Sequence, residues 1–184
     1  MQILNKAIIF AVNAHSGTVR KGTDIPYIMH PLESCSIAAS ITNDKEIIAA
    51  AVLHDVVEDT SCTKEDLVNE FGERVAYLVM SDTENKMRDI PAEKSWRLRK
   101  QATLDFLENA TKAEQIICLS DKLSNLRAIH RDYKLIGDKL WKRFNNSCIV
   151  DQAWYYGGIA ERLTFLKDTQ PYIEYLELCK RVFG

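Results

Sequence analysis

A chain of 184 residues with 46% hydrophobic and 27% charged side chains can bury a proper core, roughly 70% of the surface its unfolded form exposes, and is not of the disordered class. A formal net charge of −2 excludes any global attraction to nucleic acid or to an anionic membrane surface. The five scattered cysteines form no CxxC, and neither a signal-peptide pattern nor an apolar run of ~18 residues is present, so the expected location is the reducing cytoplasm, with no membrane partner.

Helical periodicity runs along the whole chain, and no convincing alternating strand interrupts it. Apolar positions 4, 8, 11 and 12 form one face of a helix over residues 3–15. SGTVRKGTDIPYI, residues 16–28, reads as an irregular loop. Pro31 suits the first turn of a helix to about residue 40, and Asp44 can cap the next, which is apolar nearly all round and therefore central. Thr63 with Asp66 predicts a capping pair for a short helix over 64–70, and another follows Gly72 to about residue 82. A loop over 83–93 leads to helices at about 95–109 and 112–131. A short helix near 138–144, one at about 147–167 and a last over 172–182 complete the chain. No repeat or linker divides residues 1–184, so the expectation is a single all-α domain, a bundle of about eight to ten helices.

The stretch VLHDVVEDT, residues 52–60, is costly to build. An apolar run passes directly into His54, Asp55, Glu58 and Asp59, and the three acids share one helix face at i, i+3 and i+4. Near a helix C-terminus they also meet the negative end of the macrodipole. Two readings of the residues remain open. In one, the helix ends at Leu53 and the acids form a solvated loop. In the other, a cation offsets them, with His54 and Asp55 as ligands and His30 and Asp121 supplying two more. His30 also has an ordinary reading as a hydrogen-bonded packing residue, and Asp121, beside the apolar stripe of IICLSDKLSNL, needs some partner. Two histidines with two aspartates suit Mn²⁺ or Fe²⁺.

The series H…HD…D resembles the HD phosphohydrolase superfamily. More closely, HSGTVRKGTDIPYIMHPLE, AAAVLHDVVEDT and LSDKLSNLRAI resemble the hydrolase domain of RelA/SpoT-type proteins and stand-alone small alarmone hydrolases, from about residue 7 to 131, with WYYGGIAERL at 154–163 a weaker match. The resemblance implies an HD-type domain in which His30, His54, Asp55 and Asp121 hold one metal, most commonly Mn²⁺. It implies that Glu58 and Asp59 activate and orient the attacking water and protonate the leaving group. Arg20 and Lys21 match a pair that packs against the substrate base and phosphates, Asn125 a substrate-contacting asparagine, and Tyr156 a tyrosine near the nucleotide, a place Trp154 or Tyr155 could also fill. The implied reaction is hydrolysis of the 3′-pyrophosphate of (p)ppGpp, giving GDP or GTP and pyrophosphate.

Some residues fall outside that pattern. His15 is expected to support the loop rather than bind metal, and Lys94, Arg97, Arg99 and Lys100 read mainly as a solvated helix face from which one or two could reach a polyphosphate. Ser124 and Ala128 replace a histidine and a threonine common in the long relatives, and both are expected beside the nucleotide pocket, where they bear on substrate choice. Nothing in 132–184 resembles a synthetase or regulatory domain, so the expectation is a hydrolase without the opposing activity. Two other functions compete with the alarmone hydrolase, which by itself admits adenosine alarmones as substrates. One is a different HD-type nucleotide phosphohydrolase such as a nucleotidase or an NADPH 2′-phosphatase; the other is a binding module that keeps a metal for stability.

Overall fold

Side-chain caps set several helix starts where the sequence places them. The computed structural model describes residues 2–87 and 89–184; Met1 and Arg88, the latter inside the loop expected over 83–93, lie outside the described residues. Among these residues the chain is all-α, with ten α-helices, one 3₁₀ helix and no strand beyond an isolated bridge between Val19 and Pro26. The helices are α1 Ile3–Ala14, α2 Met29–Ile41, α3 Lys45–Leu53, α4 Val56–Asp59, α5 Lys64–Phe71, α6 Glu73–Asp82, α7 Ala92–Leu107, α8 Lys112–Ile136, α9 Ile149–Arg162 and α10 Gln170–Phe183. The Asp44 carboxylate accepts from the backbone N–H groups of Glu46 and Ile47, and Thr63 and Asp66 form a reciprocal capping box.

Helix α3 is the axis of the core. Every residue from Ile47 to Leu53 is buried, because α1, α2, α6 and α8 pack round it on all sides. Helix α8 has 25 residues and also packs on α2, α6, α10 and the 3₁₀ helix Gly137–Arg143. It runs beyond the expected end at residue 131 because no breaker occurs before Gly137, whose φ of 56° suits glycine. Helix α9 instead stops short of the expected residue 167. Leu163 and Leu166 are fully buried in the following turn, where the Phe165 N–H donates to the buried Gln115 side chain at 3.0 Å.

The polar end of the apolar run keeps the helix end of the first reading, at Leu53, and the gathering of the cation reading, but not the solvated loop. A single helix does not carry all four groups to its C-terminus: α3 ends at Leu53, and α4 is a separate single turn. Asp55 and Glu58 are not in a solvated loop, since their side chains are only 15% and 25% exposed, whereas Asp59 faces solvent. Among the described residues no helix is long and apolar enough to cross a membrane.

Candidate active site

The packing of α2, the α3–α4 junction and α8 brings four expected residues to one point. His30 stands in the first turn of α2, His54 and Asp55 lie at the break after α3, and Asp121 projects from α8. His54 Nε2 is 3.1 Å from His30 Nε2 and 2.9 Å from Asp55 Oδ2. His30 Nε2 is 3.1 Å from Asp121 Oδ1 and 3.4 Å from Asp55 Oδ2. His30, His54 and Asp121 are all buried, and one donor atom from each lies within 4.8 Å of the others.

The donor set fits a divalent metal. Adjacent ligands on one cation, at bonds of roughly 2.1 Å, stand about 3 Å apart. Both rings turn Nε2 inward because Nδ1 is engaged elsewhere, with the Ala51 carbonyl at 2.9 Å for His54 and the Ser124 hydroxyl at 2.8 Å for His30. Burial alone would lower the His54 pKa, yet the Asp55 and Asp121 carboxylates hold it well above the ordinary imidazole range. The cluster therefore draws positive charge to its centre, as a metal would supply it.

Glu58 and Asp59 flank this point in α4. Glu58 accepts the Glu84 backbone N–H at 3.2 Å, and burial, then the Asp55 charge, pushes its carboxyl up to about 7. Lys86 donates to Asp59 Oδ1 at 2.9 Å and to the Glu58 carbonyl at 2.8 Å. On the other side the Tyr27 hydroxyl lies 2.7 Å from Asp55 Oδ2 and 2.8 Å from Asp59 Oδ2, joining the metal-capable cluster to the acid pair. Burial, then those two charges, keeps the phenol protonated and therefore a donor.

A cavity of about 190 Å³ opens from the cluster and adjoins a second of about 340 Å³. Arg20, Tyr27, Lys100, Lys122, Asn125 and Tyr155 line both. Arg20 donates to Asn125 Oδ1 at 2.6 Å, and the Asn125 amide nitrogen donates to Asp121 Oδ1 at 2.5 Å. Lys21, at the exposed rim of the larger cavity, reaches Asn145 at 3.2 Å. Tyr156 lines the larger cavity but is only 6% exposed, with its ring against Tyr175 and Phe183. Tyr155 lines both spaces and has a buried hydroxyl with no protein partner among the described residues. Trp154 instead packs under Arg97.

Of the basic residues on α7, Arg99 and Lys100 line the cavities and pair with Glu84, whereas Arg97 is exposed and pairs with Asp151. The larger cavity also has Lys122, Arg131 and Arg143 in its wall, which with Arg20, Lys21, Arg99 and Lys100 makes seven cations against one acid, Asp132. Sequence reasoning passed over Tyr27, Glu84, Lys86, Lys122, Arg131 and Arg143. For Tyr27 and Lys122 a signal existed, since they lie inside the PYI and SDKL segments. For Arg143 there was none. His15 is buried, with its ring 4.9 Å from Tyr27 and its carbonyl accepting from Thr18, in keeping with a loop-supporting role. Ala128 lines the larger cavity as expected. Ser124 does not: it is buried behind His30, against Glu33, and lines neither cavity.

A family model described as HD domain matches residues 7–146. A protein of Brucella ovis named GTP pyrophosphokinase rsh is 31% identical over 127 residues, which are 69% of this chain and 17% of that protein. A protein of Aquifex aeolicus named guanosine-3′,5′-bis(diphosphate) 3′-pyrophosphohydrolase is 37% identical over 127 residues, 68% of this chain and 18% of that one. The chain thus spans under a fifth of the length of these relatives. A solved structure of a metazoan ortholog of SpoT, described as hydrolyzing ppGpp, shares the fold with a TM-score of 0.78 at 21% identity, covering 98% of this chain and 96% of that one.

Proposed function

The chain belongs to the HD domain family, and on that premise we propose that residues 1–184 form one HD-type domain that hydrolyses the 3′-pyrophosphate of (p)ppGpp or a related alarmone. The observation that carries this reading is the junction of two unlike cavities. The smaller holds the metal-capable cluster and the acids; the larger is cationic and, at about 340 Å³, has room for a purine nucleotide. A phosphate ester of a nucleotide is the substrate class that needs both at once.

A divalent cation on His30, His54, Asp55 and Asp121, Mn²⁺ being suited to this N/O set, would supply Lewis-acid charge for the phosphoryl group and lower the pKa of the attacking water. Glu58, poised near 7, takes the proton from that water. The water adds to phosphorus, the P–O3′ bond breaks, and the proton taken up by Glu58 passes to the ribose 3′ oxygen as pyrophosphate departs. Asp59, held between Tyr27 and Lys86, orients the water and serves the leaving oxygen. Arg20 and Lys21 meet the base and phosphates, and a guanidinium suits both contacts because it stacks on a purine while pairing with phosphate. Asn125 fixes Arg20 relative to Asp121, and Tyr156 supports the nucleotide wall.

Turnover by the Mn²⁺-loaded protein against ppGpp, pppGpp, ppApp, NADPH and simple mononucleotides tests the proposal, with pyrophosphate and orthophosphate assayed separately. Pyrophosphate from ppGpp or ppApp is expected. Orthophosphate from mononucleotides or NADPH alone would replace this reading with a nucleotidase or NADPH phosphatase, and silence across the panel with metal bound would leave a binding module.

A further inference from the structure

Ser124 and Glu33 bear on the metal-capable cluster from behind. Ser124 Oγ lies 2.8 Å from His30 Nδ1 and 2.8 Å from Glu33 Oε2, and the serine is only 2% exposed. The polarity of this chain is fixed at its outer end. A carboxylate only accepts, and the other oxygen of Glu33 takes an N–H of Arg127 at 2.9 Å. Arg127 is itself held by both carboxylate oxygens of Glu174 on α10, each at 2.6 Å. The Ser124 proton therefore goes to Glu33, and the serine oxygen turns a lone pair to His30. His30 answers with Nδ1–H, which leaves Nε2 bare and directed at His54 and Asp121.

We infer that Ser124 and Glu33 are a positioning pair that fixes the tautomer and ring orientation of His30 for cation binding, with α10 buttressing them through Arg127 and Glu174. The inference rests on the reading of His30 as a metal ligand. Direct carboxylate–histidine contacts commonly provide such support; here a hydroxyl carries the polarity of the carboxylate across one more bond. Without it, a buried Nδ1–H would lack a partner, and the tautomer with the proton on Nε2, useless to a metal, would compete.

The test is Mn²⁺ titration of the full chain, against a competing chelator, for wild type, Ser124→Ala and Glu33→Gln, with long-range ¹⁵N NMR of the His30 ring in the metal-free proteins. Ser124→Ala is expected to weaken Mn²⁺ binding roughly 10- to 100-fold and to turn a single His30 tautomer, protonated at Nδ1, into a mixture. Glu33→Gln offers one acceptor to two donors. With that oxygen on Arg127 its amide N–H faces Ser124 and reverses the relay, so affinity falls by a similar factor. Wild-type affinity in a folded Ser124→Ala protein would overturn the inference, as would a wild-type ring protonated at Nε2 alone. Should Ser124→Ala not fold, Glu33→Gln and the wild-type spectrum decide. A wild type that binds no Mn²⁺ would instead overturn the metal reading itself, so the two failures are distinguishable.

Discussion

The Nε2 atoms of His30 and His54 face each other at 3.1 Å across rings nearly perpendicular, at 84°. Two imidazole nitrogens aimed at one another, with Asp55 and Asp121 beside them, are at ease only around positive charge. Mn²⁺ at ~100 times its Kd is therefore expected to stabilise the fold by about 2.7 kcal/mol, a rise in Tm of roughly 5–11 °C for a chain of this size. Thermal melts with Mn²⁺ and after EDTA check this. His54→Ala should melt at the same temperature in both, and a variant that still responds would place the cation elsewhere.

Asp55 and Glu58 are three residues apart, yet their surroundings assign them different work. Asp55 Oδ2 touches both histidine nitrogens, whereas Glu58 meets the loop after α6 through the Glu84 N–H and Lys86. Asp55→Ala should abolish metal binding and turnover together. Glu58→Ala should leave metal binding largely intact while cutting turnover by ~10²-fold or more. Parallel metal titrations and single-turnover assays read the two effects, and the opposite pattern would reverse the roles.

The pH dependence follows from Glu58. Burial first, then the charge of Asp55, raises its carboxyl to about 7, so the basic form appears only as pH rises towards neutrality. As general base, Glu58 makes kcat/KM climb with pH and level off near or below about 7. A cation on Asp55 opposes the second cause, so in the metal-loaded enzyme the limb shifts to lower pH. The profile of Glu58→Gln should lack this limb, and activity that falls over the same range in wild type would exclude Glu58 as the base.

What was legible in the sequence was what local spacing decides. Asp44 and the Thr63–Asp66 pair cap helices through bonds spanning two or three residues, and the HD pair with His30 and Asp121 carries a recognisable order. The break between α3 and α4 was legible only as one of two options, because the apolar run continues helically to its last residue. Tertiary pairings were not legible. The Ser124–Glu33 contact spans 91 residues and the Lys86 strap 27, and neither leaves a periodic or spacing signal. Arg143 reaches the cavity only because the 3₁₀ helix folds back on α8, where Asp132 holds it at 2.9 Å.

Tyr27 gives a sharper test of how the acid pair is held. Its single hydroxyl proton serves two carboxylates, Asp55 and Asp59, while its ring lies 5.5 Å beneath the Arg20 guanidinium. Tyr27→Phe keeps the ring, and with it the placement of Arg20 against substrate, but removes the link between metal ligand and acid. A hydrogen bond to a charged group contributes about 1.5–3 kcal/mol, so kcat should fall roughly 10- to 100-fold. KM should change little, because the ring contact to Arg20 survives, and Mn²⁺ should still bind, because the inward-facing histidines and Asp121 are untouched. Steady-state kinetics with ppGpp and a metal titration on the same preparation measure all three. A rise in KM with kcat unchanged would show that Tyr27 holds the substrate through Arg20 and not the acid pair through its hydroxyl.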